Sequence, residues 1–369
     1  MQSLSLIKVL RSCGYMVNVL CYFEYDDRMV KEFRNAGSTV RLLQMNRDIG
    51  LLTLTYRLMS AIREISPNVL HVQYMAPGAL AVVAGRLAGL RTIFATVHQP
   101  FTISHGWLAK LILRTISLLT TKFIAVSQSA EKSWFGTSNM LDETLQLNRQ
   151  PHHFTIHNSV DAVRIKRTTE AINVKELKAS LSISEDVLVI GAISRIRHEK
   201  GIDFLVETFN LLVMEGAEAH LLLVGSGPDG EKIREKVFNF KLGPKVTFYG
   251  EAEWEKAIQL LTVMDIVVVP SRFEGFGLTA AEAMAAGKPV VASETSGLKE
   301  VVANGETGIL FPVDDSSALL KALQKLIKDP DLRKDLGAAG RKRVSETFSL
   351  EIFTRKINAL YSNRPLNGI

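Results

Sequence analysis

At 369 residues, 47% hydrophobic and 22% charged, the chain has enough material for two globular domains, each with its own core. Its two cysteines, Cys13 and Cys21, are too few for a disulfide framework and lack the spacing of a metal site. The net charge of +6 is uneven, because residues 1–170 hold 19 Lys/Arg against 11 Asp/Glu, a balance of +8 that leaves −2 for the remainder; a basic first half suggests an anionic partner, lipid surface or nucleic acid, or else a solvated basic face.

The chain opens in a helical pattern over 4–11, then turns at Cys13-Gly14. Buried strands are predicted over 16–23, 39–43, 69–72, 92–97 and 123–126, with helices between them, for example over 80–88 and 108–120. Strands over 187–193, 220–224, 246–249, 266–269 and 289–292 repeat the pattern. Such alternation is the signature of βα units around parallel sheets. The fold class is therefore α/β, with two doubly wound, Rossmann-like domains joined within the polar stretch 161–186.

The opening is unusual for that class. A doubly wound domain normally begins with a strand and a glycine-rich turn, and that first strand sits at the centre of the sheet. The expectation is that this strand is missing from the first domain, leaving a hole lined by apolar side chains. The coding frame would then extend upstream by roughly 15 to 30 residues, or this form would be an inactive fragment.

The most apolar stretch, 107–126, carries Lys110, Arg114 and Lys122, which a hydrocarbon core would penalise. Its part 107–122 reads more readily as a sheet-covering helix than as a segment touching anionic lipid. Lys8 and Arg11 fall where a secretory signal would need an apolar run. The expected setting is the cytoplasm, with a peripheral place at the inner face of the membrane left open.

Two motifs carry chemistry. Residues 270–284, PSRFEGFGLTAAEAM, follow a buried strand. Gly275 and Gly277 let the backbone approach a ligand, and the helix beginning near Leu278 offers N–H groups and a positive dipole end to a diphosphate. Glu282 lies one turn into that helix, where its carboxylate can accept hydrogen bonds from adjacent hydroxyls such as those of a ribose. Glu274, before the turn, can do likewise for a sugar ring. The second motif is residues 191–201, GAISRIRHEKG. Arg195 and Lys200 can converge on a pyrophosphate leaving group, whose developing charge they would stabilise; Arg197 shares that task or faces water.

Together these residues resemble the retaining GT-B glycosyltransferases of family 4, the group 1 glycosyltransferases. The resemblance spans nearly the whole chain, and its most specific part is Glu274 and Glu282 around Gly275-Phe276-Gly277-Leu278. It implies that Arg195 and Lys200 bind the donor diphosphate, Glu282 the ribose and Glu274 the transferred sugar. It places His98, at the end of a predicted strand, facing the donor sugar, while His71 is a weaker candidate for the same cleft. The run from Ile156 to Asp161, IHNSVD, is also similar, although Ser159 stands where the family commonly has glycine. The implied layout is an acceptor-side domain over 1–163, a nucleotide-sugar-binding domain over 164–347, and a last helix over 348–369 that crosses back to the first.

Two decoys compete. Gly225-Ser226-Gly227-Pro228-Asp229-Gly230 satisfies the dinucleotide fingerprint, with Glu251 about 20 residues later, and supports an NAD(P)-dependent oxidoreductase. A Gly-x-Gly-Pro loop with Gly225 near the donor is also similar to family 4. Asp329-Pro330-Asp331 has the look of a metal-binding Asp-x-Asp, but reads better as a helix start with Asp329 as N-cap. The expected reaction moves a hexosyl unit from a UDP- or GDP-sugar to a sugar or lipid-linked acceptor, with no metal, no other cofactor and no nucleic acid partner. A non-catalytic nucleotide-binding remnant is the other alternative.

Overall fold

The structure is a computed structural model that describes residues 2–102 and 105–362. The chain divides into two compact units, one formed by Met1–Ser159 with Leu350–Ile369 and the other by Val160–Ser349.

The first unit contains β1 (Asn18–Cys21), β2 (Thr39–Leu42), β3 (Leu70–Gln73), β4 (Ile93–Val97), β5 (Lys122–Ala125) and β6 (His153–Thr155). Every pairing among them is parallel. They form two sheets, a β1-β2 pair and the ordered set β3-β4-β5-β6, and no strand among the described residues bridges them. Side chains on β4 and β5 alternate between two faces, as the strand period of two requires. Ile93, Ala95, Val97, Phe123 and Ala125 pack with Leu58, Ile62, Val82 and Leu113 from helices Leu51–Ile65, Met75–Leu87 and Gly106–Ser117. Phe94 and Ile124 turn the other way, toward Leu6 and Val9 of helix Gln2–Ser12 and Phe353 and Ile357 of helix Leu350–Ser362.

The second unit contains β7 (Leu188–Ile193), β8 (Ala219–Val224), β9 (Val246–Gly250), β10 (Ile266–Val269), β11 (Val290–Ser293) and β12 (Ile309–Phe311). Their spatial order is β9-β8-β7-β10-β11-β12, all parallel. This is the doubly wound order, and the chain reverses its winding direction between β7 and β10. Both faces of the sheet are covered, so its strands read as near-continuous apolar runs; β7, β8, β10 and β11 are almost wholly buried.

Phe94 is fully buried and meets the Tyr361 ring edge-on at 5.3 Å. Truncating it leaves a large cavity between the β3–β6 sheet and the last helix. Phe94→Ala should therefore destabilise the first unit by about 3–5 kcal/mol. Guanidinium denaturation would show this as a lower midpoint, and an unchanged midpoint would mean that the layer contributes little.

Candidate functional site

Ligands of doubly wound sheets bind beyond the carboxyl ends of the strands where the winding reverses. In the second unit that point is flanked by the loops leaving β7 and β10, and both chemistry-bearing motifs lie on those two loops.

The loop after β7 is held from beneath. Ser194 N–H donates to the Val224 carbonyl at 3.0 Å, Ile196 N–H to Ser226 O at 2.9 Å, and Asp229 N–H to Ile196 O at 3.2 Å. Gly225 has φ +131°, and a Cβ there would stand 1.9 Å from Ser194 O; at Gly227 it would stand 2.2 Å from Ile196 O. The glycines of the fingerprint are thus required by backbone packed on backbone. This removes the main support for the oxidoreductase alternative, because the close approach serves the 194–196 loop. Arg195, at the top of that loop, is exposed, and no partner for its guanidinium is found among the described residues. Arg197 is exposed too and lies 4.0 Å from Glu199.

The two loops interlock. Gly201 has φ +64°, and a Cβ on it would stand 2.1 Å from Pro270 O. Arg272 N–H donates to Glu199 O at 2.9 Å. The Arg272 guanidinium forks onto Asp203 at 3.0 and 3.1 Å, reaches Asp314 at 2.9 Å, and also donates to His198 O. Burial alone would raise the Asp203 carboxyl, but the forked hydrogen bonds and charge of Arg272 outweigh it and hold the group below the usual carboxylate range.

On this frame Lys200 and Glu274 meet directly. Lys200 Nζ lies 2.5 Å from Glu274 Oε1, which also accepts from Ser271 Oγ at 3.0 Å. Gly277 follows with φ +99° and caps the N-terminus of helix Leu278–Ala285 without a side-chain hydrogen bond. The Phe276 ring is buried edge-on against Phe348 at 5.3 Å, so what it can offer a ligand is main chain. Gly297 closes the turn from above, since a Cβ there would be 2.5 Å from Phe276 Cα.

Glu282 projects from the first turns of that helix and accepts from Trp254 Nε1 at 2.7 Å. Burial pushes its carboxyl up to about 7, against the lowering effect of that hydrogen bond. Trp254 in turn lies under the Arg164 guanidinium, 4.3 Å from its centroid.

In the first unit, His98 follows β4 and its Nε2 donates to Gln73 Oε1 at 2.8 Å while its ring stacks on Tyr74 at 4.3 Å. Burial pulls its pKa down to about 4, so the ring is neutral near pH 7. His71 is engaged on both nitrogens, Nδ1 with Tyr361 Oη at 2.8 Å and Nε2 with Thr96 Oγ1 at 2.7 Å. Burial lowers it to about 3. His71 therefore ties the last helix to the sheet, although it borders a cavity of about 30 Å³ with His98, Gln73 and Asn158.

Sequence reasoning singled out Arg195, Lys200, Glu274 and Glu282 but missed the groups that hold them. Arg272 stood inside a quoted motif without a role, and its partners Asp203 and Asp314 are 69 and 42 residues distant in sequence. Trp254 carried no local signal. Asp329 is an N-cap as expected, accepting from Leu332 N–H at 2.8 Å.

The chain matches two family profiles. Residues 173–343 match the glycosyl transferases group 1, and residues 2–137 match glycosyltransferase family 4. Among curated relatives, N-acetyl-alpha-D-glucosaminyl L-malate synthase of Bacillus anthracis is 29% identical over 84% of this chain and 78% of its own. A GDP-mannose-dependent phosphatidylinositol monomannoside mannosyltransferase of Corynebacterium glutamicum is 28% identical over 85% of this chain and 81% of its own. In fold, Anabaena HepE, solved in complex with UDP, superposes with a TM-score of 0.81 at 19% identity, over 98% of this chain and 96% of HepE. With its two parallel-sheet units and matches that run through both, the chain belongs to the group 1 GT-B glycosyltransferases, enzymes of glycan and glycolipid biosynthesis.

Proposed function

We propose that the protein transfers a hexosyl unit from a UDP- or GDP-sugar to a hydroxyl of a sugar or lipid-linked acceptor, with retention at the anomeric carbon. The observation that carries this reading is the Lys200–Glu274 pair, set with Arg195 at the switch point beside the helix that bears Glu282. The bond between the anomeric carbon and the diphosphate oxygen breaks, the acceptor oxygen bonds to that carbon, and the acceptor proton leaves. Negative charge gathers on the diphosphate. Arg195, Lys200 and the N-terminal end of helix Leu278–Ala285 are the groups that meet it. Glu282 takes the ribose hydroxyls and Glu274 the hydroxyls of the transferred sugar. His98, kept neutral, hydrogen-bonds the sugar as the family resemblance assigns. A relative named as GDP-mannose-dependent and a fold neighbour solved in complex with UDP support both nucleotides as candidates.

Arg195→Ala and Lys200→Ala should each raise the barrier by about 3 kcal/mol, roughly a hundredfold in rate. Diphosphate release from a panel of sugar nucleotides measures this, and near-wild-type turnover in both variants would overturn the placement of the leaving group. EDTA should leave turnover intact, because protein cations meet the leaving-group charge in this reading; a strict requirement for a divalent ion would contradict it.

A pH dependence follows from Glu282. With its carboxyl raised to about 7, the group is ionised above that pH and protonated below it. Only the carboxylate accepts from both ribose hydroxyls, so nucleotide affinity should fall about tenfold between pH 8 and pH 6. Calorimetry with UDP and GDP should show that slope, and Glu282→Gln should flatten it. Equal slopes in wild type and variant would remove Glu282 from the ribose site.

A further inference from the structure

Helix Gly106–Ser117 carries apolar side chains on its outer side as well as on the side packed against the first unit. Leu113 and Ser117 are buried against the first unit. The opposite face presents Trp107 at 75% exposure, Leu108 at 54%, Leu111 at 51% and Ile112 at 45%, and Leu118 just beyond the helix is 73% exposed. These positions recur at the helical spacing and form one stripe along the outside. Scattered apolar side chains on a surface need no explanation, but a contiguous stripe of this kind marks an interaction site.

Along the sequence, the charge on either side of the stripe has one sign. Between Glu64 and Glu131 the sequence contains no acidic residue, while Arg86, Arg91, Lys110, Arg114 and Lys122 fall within that interval. Lys122 is buried and spends its ammonium on the carbonyls of Gln150 and Pro151, and Arg86 is turned onto backbone carbonyls. Arg91 remains exposed, Arg114 is exposed while one of its guanidinium nitrogens donates to Phe135 O, and Lys110 lies alongside the stripe with its ammonium 4.8 Å from the centroid of Phe101. Lys132, on the neighbouring helix Gln128–Phe135, is exposed as well.

We propose that this face of helix Gly106–Ser117 docks the first unit onto an anionic lipid surface. A tryptophan and branched aliphatics flanked by cations, with no carboxylate among them, is the composition of a helix lying in the headgroup region. The helix has 12 residues, and no described helix is long and apolar enough to cross a membrane, so this helix would lie on the surface and not span it. A second copy of the chain is a poorer occupant. A two-fold contact through this stripe would bring the cations beside it in one copy near those of the other, which like-charge repulsion opposes. The inference rests on the surface alone and not on the donor reading.

The test uses the full chain without any sugar nucleotide. Flotation with phosphatidylcholine vesicles, with and without phosphatidylglycerol, reads binding directly. Binding to the phosphatidylglycerol vesicles should be at least about tenfold tighter and should weaken with added salt. Trp107 should shift its emission to the blue on binding, and Trp107→Phe should abolish the shift. Leu111→Ser with Ile112→Ser should lower vesicle affinity about tenfold without moving the thermal transition, since both side chains are exposed. Phe238→Ser, an exposed aromatic of the second unit, should leave binding unchanged. Three results would each overturn the proposal: no binding to either vesicle, equal binding to both, or unaltered binding by the double variant. So would a dimer that the double variant dissolves while lipid binding is absent.

Discussion

Loops leaving two adjacent parallel strands can form a ligand site only if each is held by something other than itself. Here the constraint is the crossing of the β7 and β10 loops, where Gly201 lies under the Pro270 carbonyl and Arg272 spans from one loop to the other. No side chain fits at Gly201, and lysine in place of Arg272 could not supply the fork that engages Asp203. The positions of Lys200 and Glu274 follow from that crossing. The same logic repeats outward. Gly225 and Gly227 seat the first loop on β8, and Gly297 seats the second loop against the turn at Gly275.

The pairing of Lys200 with Glu274 also sets the electrostatics of the resting site. Each side chain is mostly shielded from solvent, at 25% and 18% exposure, so neither charge could stand alone cheaply. A ligand that takes up either charge must replace the partner it displaces. A sugar diphosphate has anionic oxygens for Lys200 and hydroxyls for Glu274, whereas a bare anion has only the former. The arrangement therefore favours ligands that carry both chemistries.

Much of this was legible in the sequence, and the boundary of legibility has a physical cause. The apolar runs of β7, β8, β10 and β11 stand out because both sheet faces are buried, so pattern alone finds them. β6 and β12 escaped because each pairs over only three residues, and β6 includes His153, whose ring bonds to the buried Glu131 at 2.7 Å. Lys200 and Glu274 were found separately, on local motifs; their contact across 74 residues was not, since nothing local encodes it. Gly225 illustrates the converse problem. Its motif signals close backbone approach correctly, but a sequence cannot say whether ligand or protein does the approaching. For His71, a weaker cleft candidate in sequence, the tie to Tyr361 lies 290 residues away and has no local signal.

That tie has a bearing on how the chain is made. The second unit is a continuous stretch, Val160–Ser349, whereas the first is completed only by helix Leu350–Ser362. On the ribosome, the Phe94 and Ile124 face of the first sheet has no cover from that helix until the whole second unit has been synthesised. At about 5–20 residues per second this interval lasts roughly ten to forty seconds. The second unit can fold as it emerges, while the first waits with part of its core in water. The unit that begins the chain is thus the last to be finished, and the intermediate most exposed to aggregation is a folded second unit behind an unsealed first.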